Sequence, residues 1–188
     1  MAEGKRGPLP NPALTIIGIM IGVMGGWRII AALAFSLHAG ACGSTGVTFV
    51  SEEYAKRPVQ PLNPQAALAE INAFRAKNGL PPVVLDARLS QAAAMQAQDQ
   101  ARRSRIGHYG SDGSRPMQRA ARAGYNAKIA SENVASGQKS FSDVMRDWEG
   151  SSGHRQNLLR PNVKAVGVAM AQNDAGRPYW TLVLASER

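Results

Sequence analysis

The chain of 188 residues carries 22 basic and 13 acidic side chains, a formal charge of +9, and its length is that of one ordinary domain with something added. Its single cysteine excludes an internal disulfide framework and any C-x-x-C pair. The absence of a Walker loop, a dinucleotide fingerprint and a G-x-S-x-G elbow removes the commonest nucleotide-dependent enzymes and serine hydrolases.

In chain order, the addition comes first. Residues 14 to 37, "LTIIGIMIGVMGGWRIIAALAFSL", are long and apolar enough to cross a bilayer apart from Arg28, whose charge at mid-membrane costs about 3 kcal/mol on insertion scales. Started at Met24, the same stretch is a signal peptide: a basic "MGGWR", an apolar "IIAALAFSL", and "HAGAC" with Ala39 and Ala41 in an A-x-A arrangement. A retained spanning helix behind Lys5 and Arg6 is the alternative. The "AGAC" ending at Cys42 resembles a bacterial lipobox, with Ala39 where a leucine is usual; an ordinary cleaved signal with a leftover thiol fits equally. Residues 1–41 are thus assigned to a signal peptide or N-terminal membrane segment, and the protein to an extracytoplasmic place: secreted, periplasmic or lipid-anchored through Cys42.

Loss of residues 1–41 leaves nineteen basic and twelve acidic side chains, a net +7. Between positions 102 and 122, Arg102, Arg103, Arg105, Arg115, Arg119 and Arg122 face only Asp112, a patch suited to anionic headgroups or envelope polymers. Solvated helix faces are the plainer reading. Nucleic acid is disfavoured by export and by the lack of aromatics between those arginines.

Residues 42–63 are proline-punctuated and aperiodic and read as a tether; the domain proper is 64–188. Asn63 and Pro64 open a first helix, with Leu68, Ile71 and Phe74 at helical spacing, that ends at Asn78 and Gly79. "LPPVV" is an extended turn. Asp86 caps a second, alanine-rich helix from Ala87 to about Ile106, with Gly107 at the left-handed C-terminal position. Ser114 and Pro116 begin a short third helix that Gly124 ends, and Ser140 caps a fourth that carries Trp148 and stops at Gly150. His108 and His154 therefore each follow a glycine, past a helix end. Between the last two helices "KIASENVASG" alternates like a strand, with Ala130, Glu132 and Val134 on one face. Two strands close the chain, "AVGVAMAQ" and "YWTLVLAS", joined by the turn residues "NDAGR". The pattern is α+β, an antiparallel sheet covered by helices.

A carboxylate on an inward strand face needs a partner. His108 and His154 are the natural candidates, since two imidazoles and a carboxylate make a common zinc site with an open position. The forty-six-residue separation carries no local signature, and two structural histidines fit the same pattern. Ser111, Ser151 and Ser152 lie near the histidines, but nothing in their spacing selects a nucleophile. Trp148 and Trp180 are expected in the core, Asn133 as a brace for the strand beside Glu132, and Asp112 with Gly113 in the turn after His108, where Asp112 could support the histidine.

The segments "GHYGSDGSRPMQRAARAGY", "SENVASG", "DWEGSSGHRQNLL", "VGVAMA" and "PYWTLVLAS", in this order, resemble bacterial members of the CAP superfamily (SCP-like; cysteine-rich secretory proteins, antigen 5 and pathogenesis-related proteins), over nearly all of residues 64 to 186. The resemblance implies a three-layer α/β/α sandwich with a central antiparallel sheet, and a cleft of histidines and acidic residues that binds divalent metal in some members. By that likeness His108, Glu132 and His154 are the metal-ligand candidates, with zinc or calcium as the ion. One departure stands out: the second glutamate of the animal and plant branches, three residues after the tryptophan, is here Ser151, which leaves a three-residue site. Two functions follow. One is a non-catalytic binding module of the cell envelope, its cleft holding metal, lipid or polymer and its N-terminus and basic patch meeting the membrane or another envelope component. The other is a hydrolase in which metal, or Glu132 as base, activates water.

Overall fold

The computed structural model describes residues 52–188. The expected signal peptide or membrane segment, Cys42 and the first part of the tether lie outside these residues. Among the described residues no helix is long and apolar enough to cross a membrane.

Ten elements follow in order: α1 (Glu52–Lys56), α2 (Pro64–Lys77), β1 (Val84–Leu85), α3 (Ala87–Arg103), α4 (Pro116–Arg122), β2 (Ala127–Ser136), α5 (Phe141–Gly150), α6 (Ser152–Leu158), β3 (Ala165–Gln172) and β4 (Pro178–Glu187). The caps act as their residue types require. Asn63 accepts from the amides of Gln65 and Ala66, Asp86 from those of Arg88 and Leu89, and Ser140 from that of Asp143, each satisfying donors that a helix start leaves open. Helix α3 stops earlier than expected. Ser104, not Gly107, takes the left-handed conformation, with φ 49°, and residues 105 to 107 run on as a non-helical lead into His108.

The sheet order is β1-β3-β4-β2. Strands β3 and β4 form the expected hairpin, β4 pairs antiparallel with β2, and two-residue β1 runs parallel to β3. The sheet is thus antiparallel apart from a short parallel edge, made where the expected turn "LPPVV" continues into strand pairing. Helices cover both faces. On one side Ile71, Phe74, Phe141, Val144, Trp148 and Leu158 pack on Val166, Val168, Trp180, Leu182 and Leu184. On the other, Leu89, Ala92, Ala93, Ala97 and Ala120 pack on Ala165, Ala169, Val183 and Ala185. This is an α/β/α sandwich, and both expected core tryptophans are buried.

Within the stretch read as a tether, the described part touches the domain. The Tyr54 hydroxyl donates to Asp143 and accepts from the Lys139 amide, and the Gln60 amide donates to the Lys139 carbonyl at 2.7 Å. On the other end of the same layer Arg75, fully buried, donates to the carbonyls of Pro81, Leu158 and Arg160 and ties α2 to the end of α6.

Candidate functional site

β2 is the edge strand beyond β4, and its pleat sends Glu132 toward α3 and α4, in line with Val183, and Asn133 toward the opposite layer, in line with Leu182. The Glu132 side chain is only 1% exposed. A carboxylate so far from water needs opposite charge and donated protons. Both of its oxygens are supplied. Arg119 on α4 donates from Nη2 to Oε2 at 2.6 Å, and His108 Nδ1 lies 3.0 Å from Oε1. Since a carboxylate oxygen only accepts, Nδ1 carries the proton, and a neutral His108 presents its Nε2 lone pair outward. The His108 side chain is half-exposed, and its hydrogen bond to Glu132 raises its proton affinity above the ordinary histidine value, against a smaller effect of burial.

Arg119 also organises the loop. Nη1 donates to the Ser114 carbonyl at 2.6 Å, and Nη2 to the His108 carbonyl at 3.2 Å. Between these anchors the chain turns tightly: the Gly110 amide donates to the Ser114 carbonyl, Asp112 accepts from the Ser114 amide, and Gly113 has φ 76°. A Cβ on Gly110 would stand 2.6 Å from Asp112 Oδ1 and 2.7 Å from Ser114 Oγ, so a larger residue there would displace the side chains that shape the turn. From behind, the buried amides of Gln96 and Gln100 both donate to the Gly107 carbonyl. Asp112 makes the expected turn but pairs with Arg122 rather than His108. Ser111 is no nucleophile for His108, because its hydroxyl and its amide are both bound to Asp99.

His154 arrives from the opposite layer. It lies past the end of α5, as expected, and in the first turn of the short helix α6, half-buried, its ring 6.4 Å from that of Trp148. Burial lowers its proton affinity, and the charge on His108 lowers it further. Its helix is stapled to β2 by amides. Asn133 donates to the His154 carbonyl at 3.0 Å, while Asn157 donates to Asn133 at 2.9 Å and to the Glu132 carbonyl at 3.2 Å. The brace expected of Asn133 is therefore there.

His108 and Glu132 are in direct contact, with His154 across the edge strand, but the three do not offer a ready set of metal ligands. Among the described residues no group of three His, Cys, Asp or Glu side chains is arranged to hold a metal ion. Both Glu132 oxygens are engaged, one by Arg119 and the other by His108.

Arg119, Gln96, Gln100 and Asn157 are the site residues that sequence reasoning did not single out. Arg119 had a signal. It precedes Ala120 on the inward face of a short helix, and an arginine on an apolar face asks for a carboxylate. The basic patch shrinks accordingly, since Arg119 is buried, Arg102 and Arg103 pair with Asp99, and Arg122 pairs with Asp112.

An α/β/α sandwich that sets a histidine–glutamate pair on its edge strand, with a second histidine across that strand, is the arrangement of an SCP-like domain. The chain belongs to that family: residues 68–184, more than half of its length, match the model of the cysteine-rich secretory protein family, CAP. A Bacillus subtilis relative, the uncharacterized protein YkwD, is 34% identical over 110 residues, 58% of this chain and 42% of the relative, so the chain spans less than half the length of that protein. Among solved structures, an outer surface protein from Borrelia burgdorferi aligns with a TM-score of 0.61 at 21% identity over 66% of this chain and 92% of that one. An extracellular SCP-domain protein from Bacillus anthracis aligns with a TM-score of 0.58 at 20% identity over 68% of this chain and 45% of that one. At these identities the likeness is one of fold.

Proposed function

We propose that this CAP domain is an exported, non-catalytic binding module of the cell envelope, taking a lipid headgroup or a fragment of an envelope polymer at the imidazoles of His108 and His154. The observation that carries the reading is the saturation of Glu132. With both oxygens engaged, the carboxylate fixes His108 and is unavailable to a ligand, so recognition falls to the outward Nε2 of His108 and to His154. A divalent ion at these two nitrogens, with Glu132 as the carboxylate behind His108, is the remaining candidate ligand. Export rests on the signal-like N-terminus, and envelope contact on that segment and on Arg105 and Arg115, the exposed arginines of the patch outside its ion pairs.

A second reading has one specific observation behind it. An imidazole whose Nδ1–H is held by a buried carboxylate is oriented as a general base, its Nε2 free to take a proton from water or a hydroxyl. In that hydrolase the base is His108, and Glu132, buried and doubly bonded, is a positioning residue rather than the base.

Trp148 provides the test, because its ring lies against that of His154. Titration of the full chain with anionic lipid micelles and with solubilised envelope polysaccharide should change tryptophan emission saturably, and His108→Ala should abolish the change while leaving the circular dichroism spectrum intact. No response to either probe removes the binding reading. Turnover of a generic ester substrate that is lost in His108→Ala would favour the hydrolase instead.

A further inference from the structure

Large apolar side chains exposed to water are few, and they are not scattered. Among the described residues they are Val84, Ile106, Tyr109 and Met117, from 42% to 62% exposed. Three of the four fall within positions 106 to 117, on the loop that carries His108 and at the start of α4. Arg105 and Arg115 are exposed in the same stretch and join no ion pair among the described residues. The Arg115 guanidinium lies 5.5 Å from the centre of the Tyr109 ring, so cation and aromatic share one tip. The carboxylates beside them are all paired, Asp112 with Arg122 and Asp99 with Arg102 and Arg103. The stretch thus offers apolar groups and unpaired cations, and no unpaired anion.

The backbone beneath these side chains is held in place. Gln96 and Gln100 hold the Gly107 carbonyl, Arg119 those of His108 and Ser114, and Arg103 donates to that of Tyr109 at 3.0 Å. Side chains on a fixed backbone lose little further freedom on docking. Their combination also selects a partner. Exposed apolar groups rimmed by polar ones mark contact with a protein or a membrane. A stable protein interface takes about 800 Å² from each partner, more than three side chains of one loop supply. A hydrated polysaccharide offers them no hydrocarbon. A bilayer surface matches every part: a tyrosine favours headgroup level, an isoleucine and a methionine go deeper, and an arginine lays its stem along the apolar side while its head meets phosphate. The uncompensated positive charge favours anionic lipid.

We propose that residues 105–117 are a membrane-docking tip, which seats Ile106, Tyr109 and Met117 in the interface of an anionic bilayer and sets Arg105 and Arg115 on its headgroup phosphates. The inference deepens the proposed function and rests on its lipid reading. A loop seated in this way brings Nε2 of His108 to headgroup level, so its ligand is a lipid still in the bilayer.

The test uses the full chain with Cys42→Ser and one nitroxide label, placed by Ile106→Cys, Met117→Cys or Val84→Cys. Val84 is the control, exposed but on β1, at the opposite edge of the sheet from the strand that His108 meets. Electron paramagnetic resonance compares collisions of the label with oxygen, which enters hydrocarbon, and with a water-soluble nickel chelate, on phosphatidylglycerol and on phosphatidylcholine vesicles. Immersion of the label is the readout, not capture of the chain, so membrane affinity of the N-terminal segment does not mimic the result. On phosphatidylglycerol the labels at 106 and 117 should lose most of their nickel collisions and gain oxygen collisions, and the label at 84 should do neither. On phosphatidylcholine the effect should be weak, and Arg105→Glu/Arg115→Glu should abolish it. Labels at 106 and 117 that stay open to nickel on phosphatidylglycerol overturn the proposal. Equal shielding at all three positions, equal shielding on both kinds of vesicle, or shielding that survives the charge reversal overturns it too. Should the reversed variant fail to fold, the three labels on the two vesicles still decide. The tryptophan titration reports separately: silence there beside immersion here removes the lipid ligand of the imidazoles and leaves the docking tip.

Discussion

The two sides of the sheet are built on opposite plans. Toward α2, α5 and α6 the space is filled by large side chains, with Trp148, Trp180, Phe141, Ile71 and Leu158 among them and Phe141 edge-on to Trp148 at 6.1 Å. Toward α3 and α4 it is filled mostly by alanines, with Leu89, Tyr125 and Val183 among them, and the α3 backbone comes down onto the strand. A Cβ on Gly167 would fall 2.0 Å from the Leu89 carbonyl carbon. The polar apparatus of the site, Glu132, Arg119, Gln96 and Gln100, lies on this thin side. Close approach of backbones lets these side chains span from helix to strand, where a layer of leucines would hold them apart. The thin side carries the carboxylate and its two partners; the bulky side is the scaffold that supplies His154.

That contrast predicts opposite sensitivities. Loss of volume should damage the bulky side most, so Trp148→Ala is expected to cost about 3–5 kcal/mol in denaturant unfolding. Removal of the buried cation should come next: Arg119→Met strands a buried carboxylate, at about 3–5 kcal/mol before any relaxation, and Arg119→Lys should recover part of it. Gain of volume should damage the thin side. The single methyl of Gly167→Ala, which meets main chain rather than a movable side chain, is expected to cost about 1–3 kcal/mol or more, whereas an added methyl at the exposed Gly153, where nothing lies within 4 Å, should be nearly silent. Equal tolerance of Gly167→Ala and Gly153→Ala would erase the distinction between the layers.

The smallest effect is electrostatic. His108 gains a proton acceptor on folding, so its contribution to stability is fully present below the unfolded histidine value near 6.5 and is lost as pH rises through its raised folded value. His154 behaves in reverse. Its folded value is lowered by burial and then by His108, so its contribution is present above 6.5 and is lost as pH falls through the lowered value. The two oppose each other, and the unfolding midpoint should therefore vary little between pH 6 and 7 in the parent. In Glu132→Gln the larger support for protonated His108 is gone, and stability should then rise with pH across the same window.

Much of this was legible in the chain because local rules and tertiary structure agree. Asn63, Asp86 and Ser140 cap the helices they were expected to cap, the period-two rhythm of residues 127–136 is a strand, and Glu132 faces inward as that rhythm requires. Where expectation and structure part, a longer-range contact decides. Helix α3 stops at Ser104 rather than running to Ile106 because the lead into His108 is drawn away from the helix: its Gly107 carbonyl is held by Gln96 and Gln100, and no local pattern announces a glutamine amide reaching eleven residues along. His154 follows α5 as expected but sits in a further short helix, α6, which is pinned by Asn133 of β2 and by Arg75 at its end. Of the two histidines expected beside Glu132, His108 is in contact with it; the other contact comes from Arg119, which the run of six arginines hides in the sequence although it lies on the inward face of its helix.

The most direct measurement is nitrogen-15 NMR of the His108 ring across pH 5 to 9. The account predicts a neutral imidazole protonated at Nδ1 and a midpoint above the ordinary histidine value. A neutral form protonated at Nε2, or a midpoint at or below the ordinary value, would mean that His108 does not donate to Glu132 and would contradict the account.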